Sequence, residues 1–345
     1  MTAGAAYQAG EPQAMTEPPM TERQGTIRLP ARDIPVPASV SKEARAVIAN
    51  TPAQHVEYPA LDDPEAWRAM IAAHDGAIAA MMTGRASAPV TVRNIDLAGC
   101  RVYEITPDGV GDGDDRVYLD IHGGGFIWGG GELCATMAAG TAIRMAARVW
   151  AVDYRMPPDH PFPAALDDCL AAYRALLDER PPERIVVGGA SAGGNLAAAL
   201  ILRARDEGLP LPAAAVLMTP GADLTEAGDS HQVNLGLDPL IPGSGRQAFL
   251  LYAAGEDLSH PYLSPLNGDF TKGFPPAILT TGTRDMLLSD TVLLHRALRR
   301  AGVPAELHVT EAAGHGGFMG MAPEDQEILR EVRRFADTHW ERASI

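Results

Sequence analysis

Val186-Val187-Gly188-Gly189-Ala190-Ser191-Ala192-Gly193-Gly194-Asn195 decides how this chain folds. The stretch continues a β-branched run that opens at Ile185 and gives way to an alanine-rich helical pattern over 196–202. Between the two, Ser191 stands at the centre of Gly-x-Ser-x-Gly. A chain that turns from strand to helix in so few residues bends sharply, and the bend holds its middle residue in a strained backbone conformation. Small neighbours are required, because a side chain at Gly189 or Gly193 would press on the adjoining strand or helix. The Ser191 hydroxyl is thereby lifted clear of the sheet, at a helix N-terminus whose dipole favours negative charge. Ordinary strand–helix turns also carry glycine and serine, so the surroundings must decide.

Working outward, strands alternate with helices on both sides. Upstream, 90–97, 101–106 and 116–121 read as successive strands, with 108–115 as a hairpin connection. A helical pattern covers 132–147, a strand 149–154 and a helix 163–179. Downstream of the helix at 192–206, strands at 214–219, 277–281 and 305–310 alternate with helices at 288–301 and 324–339. Such alternation after an antiparallel opening predicts an α/β fold, a mostly parallel sheet between layers of helices. One excursion, 221–272, breaks the rhythm; it is rich in leucine and follows a strand end, where ligand-facing loops emerge.

Three further places carry chemistry. Tyr118-Leu119-Asp120-Ile121 runs into His122-Gly123-Gly124-Gly125-Phe126, and glycines at a strand's carboxyl end leave N–H groups free to converge on an oxyanion. His122 reads as a loop-holding residue, since in this topology a base follows the serine strand. Asp285 stands just beyond the strand at 277–281, and His315 just beyond the next. Alone, Asp285 could cap a helix and His315 could be a loop residue. Together with the serine turn they give the order nucleophile, acid, base of the α/β-hydrolases, with all three at carboxyl ends of strands.

Other classes are disfavoured. A formal net charge of −16 argues against nucleic acid and against an anionic membrane surface as partner. The three cysteines, Cys100, Cys134 and Cys169, lack metal-ligand spacing and point to a reduced compartment. No signal-like leader or membrane-length apolar run is present, so the expected location is the cytoplasm. Residues 1–38 are expected to form an arm, disordered in part, and 39–88 a helical cap segment ahead of a catalytic domain over 89–345. Within 39–88, Ser41 is a candidate helix cap. The apolar stripe Trp67, Met70, Ile71, His74, Ile78, Met81 and Met82 either packs into the core, the commoner fate of such a face, or forms a lid.

Residues of about 115–320 resemble the bacterial hormone-sensitive-lipase family of α/β-hydrolases, the type IV esterases. The matching pieces are His122-Gly-Gly-Gly-Phe126, the segment from Tyr154 to Ala164, Gly189-Ala-Ser-Ala-Gly-Gly-Asn195, Gly282-Thr-Arg-Asp285 and Gly314-His315. The resemblance implies Ser191 as nucleophile, His315 as base and Asp285 as acid. It also implies an oxyanion hole from the amides of Gly124, Gly125 and Ala192, and a helical cap built from the N-terminal region; the excursion at 221–272 is expected to contribute to that cap. Two departures stand out: Ala190 where many members carry an acid, and Asp285-Met286-Leu287 where many have Asp-Pro-Leu. The expected activity is hydrolysis of short to medium acyl esters or lactones, needing no metal or organic cofactor, with Phe126, Trp128, Met82 and Leu240 as candidate pocket residues. Amide cleavage or N- or O-deacetylation by the same residues, and a non-catalytic small-molecule receptor, are the alternatives. The strand at 305–310 is a candidate edge for a homodimer.

Overall fold

The computed structural model describes residues 25, 27, 30–50, 56–82, 89–97, 99–241 and 243–342, the last two without their side chains. The described residues up to Val36 fall in one unit and those from Pro37 onward in another. In the first, residues 30–36 are exposed and without regular secondary structure, and the disorder expected of 1–24 falls outside the described residues.

In the second unit the strands are β1 (Val90–Leu97), β2 (Cys100–Pro107), β3 (Val117–Ile121), β4 (Arg148–Asp153), β5 (Ile185–Ala190), β6 (Ala214–Met218), β7 (Ala277–Gly282) and β8 (Ala305–Thr310). They form one sheet in the order β1-β2-β4-β3-β5-β6-β7-β8. The β1–β2 and β2–β4 pairs are antiparallel, and every pair from β4 onward is parallel. The helices are α1 (Lys42–Asn50), α2 (Pro64–Met82), α3 (Glu132–Met145), α4 (Ala164–Glu179), α5 (Ala192–Asp206), α6 (Ser230–Val233), α7 (Arg246–Ala253), α8 (Leu288–Arg300) and α9 (Pro323–Arg342).

Period-two alternation along buried strands builds a core on each face. Leu119, Val187, Leu217 and Leu279 point one way, onto α4, α5 and α8. Tyr118, Val186, Val216 and Ile278 point the other way, beneath α3 and the Phe335–Trp340 stretch of α9. The parallel strands therefore present all their carboxyl ends on one edge, where β3, β5, β6, β7 and β8 deliver their loops. Among the described residues no helix is long and apolar enough to cross a membrane.

The two helices of 39–88 go to different places. Helix α1, capped by the Ser41 hydroxyl accepting the Ala44 amide at 3.1 Å, buries Ala44 and Val47 against Ala312, Ala313, Phe318 and Ala322. Helix α2 buries Trp67 against Ile127 and Ala248, with Met70 and Ile71 packed beside them. The stripe packs by its first turns into this separate apolar cluster and joins neither sheet core, while Met81 further along is 63% exposed. A face only partly covered suits a lid over the loop after β3. The sequence pattern is the same for either destination, because amphipathicity records that a face is covered and not by what.

Candidate active site

The turn at Ser191 has the strain its sequence demands. Ser191 sits at φ 59°, ψ −122° between β5 and α5. Its amide donates to Met218 O at 3.0 Å, and its side chain makes no capping bond to α5. The hydroxyl is therefore not spent on the helix whose N-terminus it occupies. Close packing explains the glycines: a Cβ on Gly193 would stand 1.9 Å from Ile121 O, and one on Gly189 would stand 2.5 Å from Gly193 C.

The register of β3 on β5 pairs Ile121 with Gly189, so the loop after β3 starts beside this turn. A Cβ on Gly123 would meet Ala190 O at 2.8 Å and Ser191 Cβ at 3.3 Å. Gly124, at φ 113°, accepts the amides of Ile127 and Trp128 at 3.0 and 2.9 Å, which curls the loop back on itself. Among the described residues the amides of Gly124, Gly125 and Ala192 donate to nothing. His122 behaves as a loop holder: Nδ1 donates to Gly123 O at 2.7 Å and the ring stacks on Tyr154 at 4.1 Å. Burial pulls its pKa down, which keeps the ring neutral.

Asp285 and His315 meet. The Asp285 carboxylate is wholly buried, and its Oδ1 accepts His315 Nδ1 at 3.1 Å and the Leu287 amide at 2.8 Å. Its Oδ2 accepts the hydroxyls of Thr219 and, at 2.8 Å, Thr281. Burial alone would raise the Asp285 pKa, but the facing imidazole and these donors hold it below the usual carboxylate value. Burial alone would lower His315, but the Asp285 charge and hydrogen bond carry it above an ordinary histidine. Because a carboxylate can only accept, Nδ1 carries the hydrogen and Nε2 keeps its lone pair. Among the described residues the Ser191 hydroxyl and His315 make no hydrogen bond to each other. Contacts of this kind often tighten only when substrate arrives.

Sequence reasoning missed two neighbours. Thr219, at φ 43° on the end of β6, also lies 3.0 Å from His315 Nδ1. Its position at a strand's carboxyl end was the available signal. Asp238, inside the excursion at 221–272, accepts the amide of His315 itself at 2.9 Å, and nothing local marks it.

The candidate pocket residues separate. Phe126 is buried and stacks on Tyr252 at 4.2 Å, so it supports the glycine loop from beneath. Trp128 is half-buried against His74, their rings 4.1 Å apart, where α2 covers the loop. Asp75 of α2 also accepts the Gly129 amide at 3.2 Å, a direct tie from this helix to the loop. Met82 is half-buried at the end of α2. Leu240 is 55% exposed, and its Cδ2 lies 4.0 Å from where a Cβ on Gly316 would stand, next to the histidine.

Known proteins match this arrangement. A family model described as the alpha/beta hydrolase fold covers residues 118–319. An acetyl-hydrolase of Streptomyces hygroscopicus is 40% identical over 193 residues, 55% of this chain and 64% of that protein. An esterase of Acinetobacter venetianus is 31% identical over 252 residues, 72% of this chain and 82% of its own. The crystal structure of an esterase, E25, superposes with a TM-score of 0.82 at 36% identity, covering 91% of this chain and 98% of that one. A second, an esterase from the bacterial hormone-sensitive lipase family, gives a TM-score of 0.73 at 30% identity over 87% of this chain and 99% of that one. The chain belongs to the α/β-hydrolase family, and within it to the bacterial hormone-sensitive-lipase-like esterases.

Proposed function

We propose that the chain cleaves carboxylic esters by a two-step acyl transfer, with Ser191 as nucleophile, His315 as base and Asp285 as acid. The observation that carries it is the buried 3.1 Å contact of Asp285 with His315 Nδ1, which leaves Nε2 as the imidazole's free lone pair. In the first step Nε2 takes the Ser191 proton as Oγ attacks the ester carbonyl carbon. The carbonyl electrons move to oxygen, and the amides of Gly124, Gly125 and Ala192 receive that charge; each such donor is worth about 3 kcal/mol. Collapse breaks the bond to the alcohol, which leaves with the proton from Nε2. Water then repeats the attack on the acyl-serine and frees the acid. The chemistry calls for neither metal nor organic cofactor.

Ser191→Ala should abolish turnover of a short p-nitrophenyl ester by folded protein, and retained turnover would refute the assignment. A covalent adduct with a serine-directed phosphonate separates an enzyme from a small-molecule receptor.

The preferred substrates are short to medium acyl esters or lactones, because Met70, Met81 and Met82 of α2 offer a pliable apolar wall. A second reading, removal of acetyl groups from oxygen or nitrogen, is favoured by the likeness to an acetyl-hydrolase. Matched acetate esters and acetylated amines decide between them. Three buried free cysteines support residence in the cytoplasm. The free edge of β8 is where a second copy would pair, which light scattering measures.

A further inference from the structure

The Asp238 carboxylate is wholly buried and accepts four backbone amides. Oδ1 takes those of Leu240 and Ile241 at 2.9 and 3.0 Å, closing the local turn. A turn needs no more than this. Oδ2 instead reaches out of the excursion to Met286 N at 3.0 Å and His315 N at 2.9 Å. One oxygen atom thus joins the residue after Asp285 to the backbone of His315, across loops that leave different strands. The loop before the histidine packs on the same spot, where a Cβ on Gly314 would lie 2.6 Å from Pro239 Cδ and 3.2 Å from Asp238 Oδ1.

Neighbouring residues fasten the acid loop from the same side. Asn234 Nδ2 donates to Asp285 O at 2.9 Å, and the Ser230 hydroxyl donates to Met286 O at 2.7 Å while accepting the Ser289 amide at 2.9 Å. Of these three side chains of the excursion, Asp238 is the one that reaches both loops. We propose that Asp238 is a positioning residue of the hydrolytic centre: it locks the Asp285 and His315 loops in register and supplies a second negative charge that favours the imidazolium formed as Ser191 attacks.

Two observations fit. Burial raises the Asp238 pKa and the Asp285 charge adds to the rise, while His315 and the amides of Ile241 and Met286 favour the carboxylate. Against the lowering effect of burial, the carboxylates that lift His315 are Asp285, from the β7 side, and then Asp238, from the excursion; β6 contributes the neutral Thr219 hydroxyl. The second observation is Met286 itself. Its N–H is one of the two donors that Oδ2 takes from outside its own turn, and a proline at this position would supply none.

The proposal rests on the esterase reading, and the experiment keeps the two apart. An unaltered protein without esterase activity, or Ser191→Ala with it, overturns that reading and this proposal together. With activity established, kcat/KM for a short p-nitrophenyl ester is followed against pH in Asp238→Asn, Asp238→Glu, Met286→Pro and Ser230→Ala, with melting temperatures alongside. Asp238→Asn should lose about tenfold to a hundredfold in kcat with little change in KM. Its acid limb should move to lower pH by roughly half a unit to one unit. Asp238→Glu keeps the charge, so its limb should stay while kcat still falls. Met286→Pro, with one donor gone, should fall by about threefold, its limb in place. Ser230→Ala should lower the melting temperature without moving the limb. A folded Asp238→Asn with the original limb and kcat overturns the proposal, as does one whose losses match Ser230→Ala at an unmoved limb. If Asp238→Asn does not fold, Asp238→Glu decides: an unchanged kcat overturns the proposal, and a reduced kcat with the limb in place supports it.

Discussion

Replacing Asp285 by asparagine removes a charge and keeps the shape. The amide oxygen can retain the bonds from His315 Nδ1 and the Leu287 amide, while its NH2 turns toward Thr219 and Thr281, whose hydroxyls can rotate to accept. What goes is the attraction between carboxylate and imidazolium in the transition state. At 3.1 Å and an effective dielectric of about 20, two unit charges attract by about 5 kcal/mol. Each tenfold change in rate corresponds to about 1.4 kcal/mol, so complete loss would reach nearly four decades. The Thr219 hydroxyl, 3.0 Å from Nδ1, keeps part of the hydrogen bonding. The expected fall in kcat is therefore roughly a thousandfold to ten-thousandfold. The pH profile gives an independent sign. The base works neutral, so activity is lost as pH falls through its pKa, which Asp285 raises. Removing the carboxylate should carry the acid limb of kcat/KM to lower pH. The assay is hydrolysis of a short p-nitrophenyl ester across pH by folded variant, with active sites counted by phosphonate labelling. A kcat within tenfold of the original, or an acid limb that does not move, refutes the reasoning.

Other perturbations test other parts. Gly193→Ala forces a methyl to within 1.9 Å of Ile121 O, so unfolding titrations should show a loss of about 3 kcal/mol, or no soluble protein. Thr219→Val removes the hydroxyl shared by Asp285 and His315, and kcat should fall about tenfold with the melting temperature little changed; an unchanged kcat would make the threonine incidental. Trp67→Ala empties the centre of the lid cluster at a cost of about 3–5 kcal/mol to the packing there. Steady-state kinetics should show a raised KM for the larger esters and a smaller effect on acetate, since the lid and not the reacting groups is disturbed.

Much of this was legible in the sequence wherever the determinant is local. The strand before Ser191 and the helix after it follow from β-branching and alanine, and the glycines from the space that turn leaves. The chain order of serine, aspartate and histidine, each placed at the end of a strand, put them on one edge without knowledge of any distance. What escaped depends on contacts between remote segments. Asp238 lies 77 residues from the histidine whose amide it holds, in a stretch with no period to read. Thr219 is one threonine at a strand end, told apart from the others only by its backbone conformation. The stripe on α2 records an apolar face but not its partner. Helix α1 looked like part of the same cap, yet its small residues find the histidine loop instead.

That last placement has a consequence for how the molecule is made. Ser41, at the start of α1, caps that helix and also donates both its amide and its hydroxyl to the Glu324 carboxylate, at 2.7 and 2.8 Å, across 283 residues of chain. Phe318 and Ala322, the other half of that contact, are equally far along the chain from α1. Helix α1 therefore docks on a segment 283 residues further along the chain, a contact of very high sequence separation and correspondingly slow to form. The buttress behind the base closes only after the segment through Glu324 has been made, so a chain that stops short of it, however well its sheet has assembled, has a histidine without its backing.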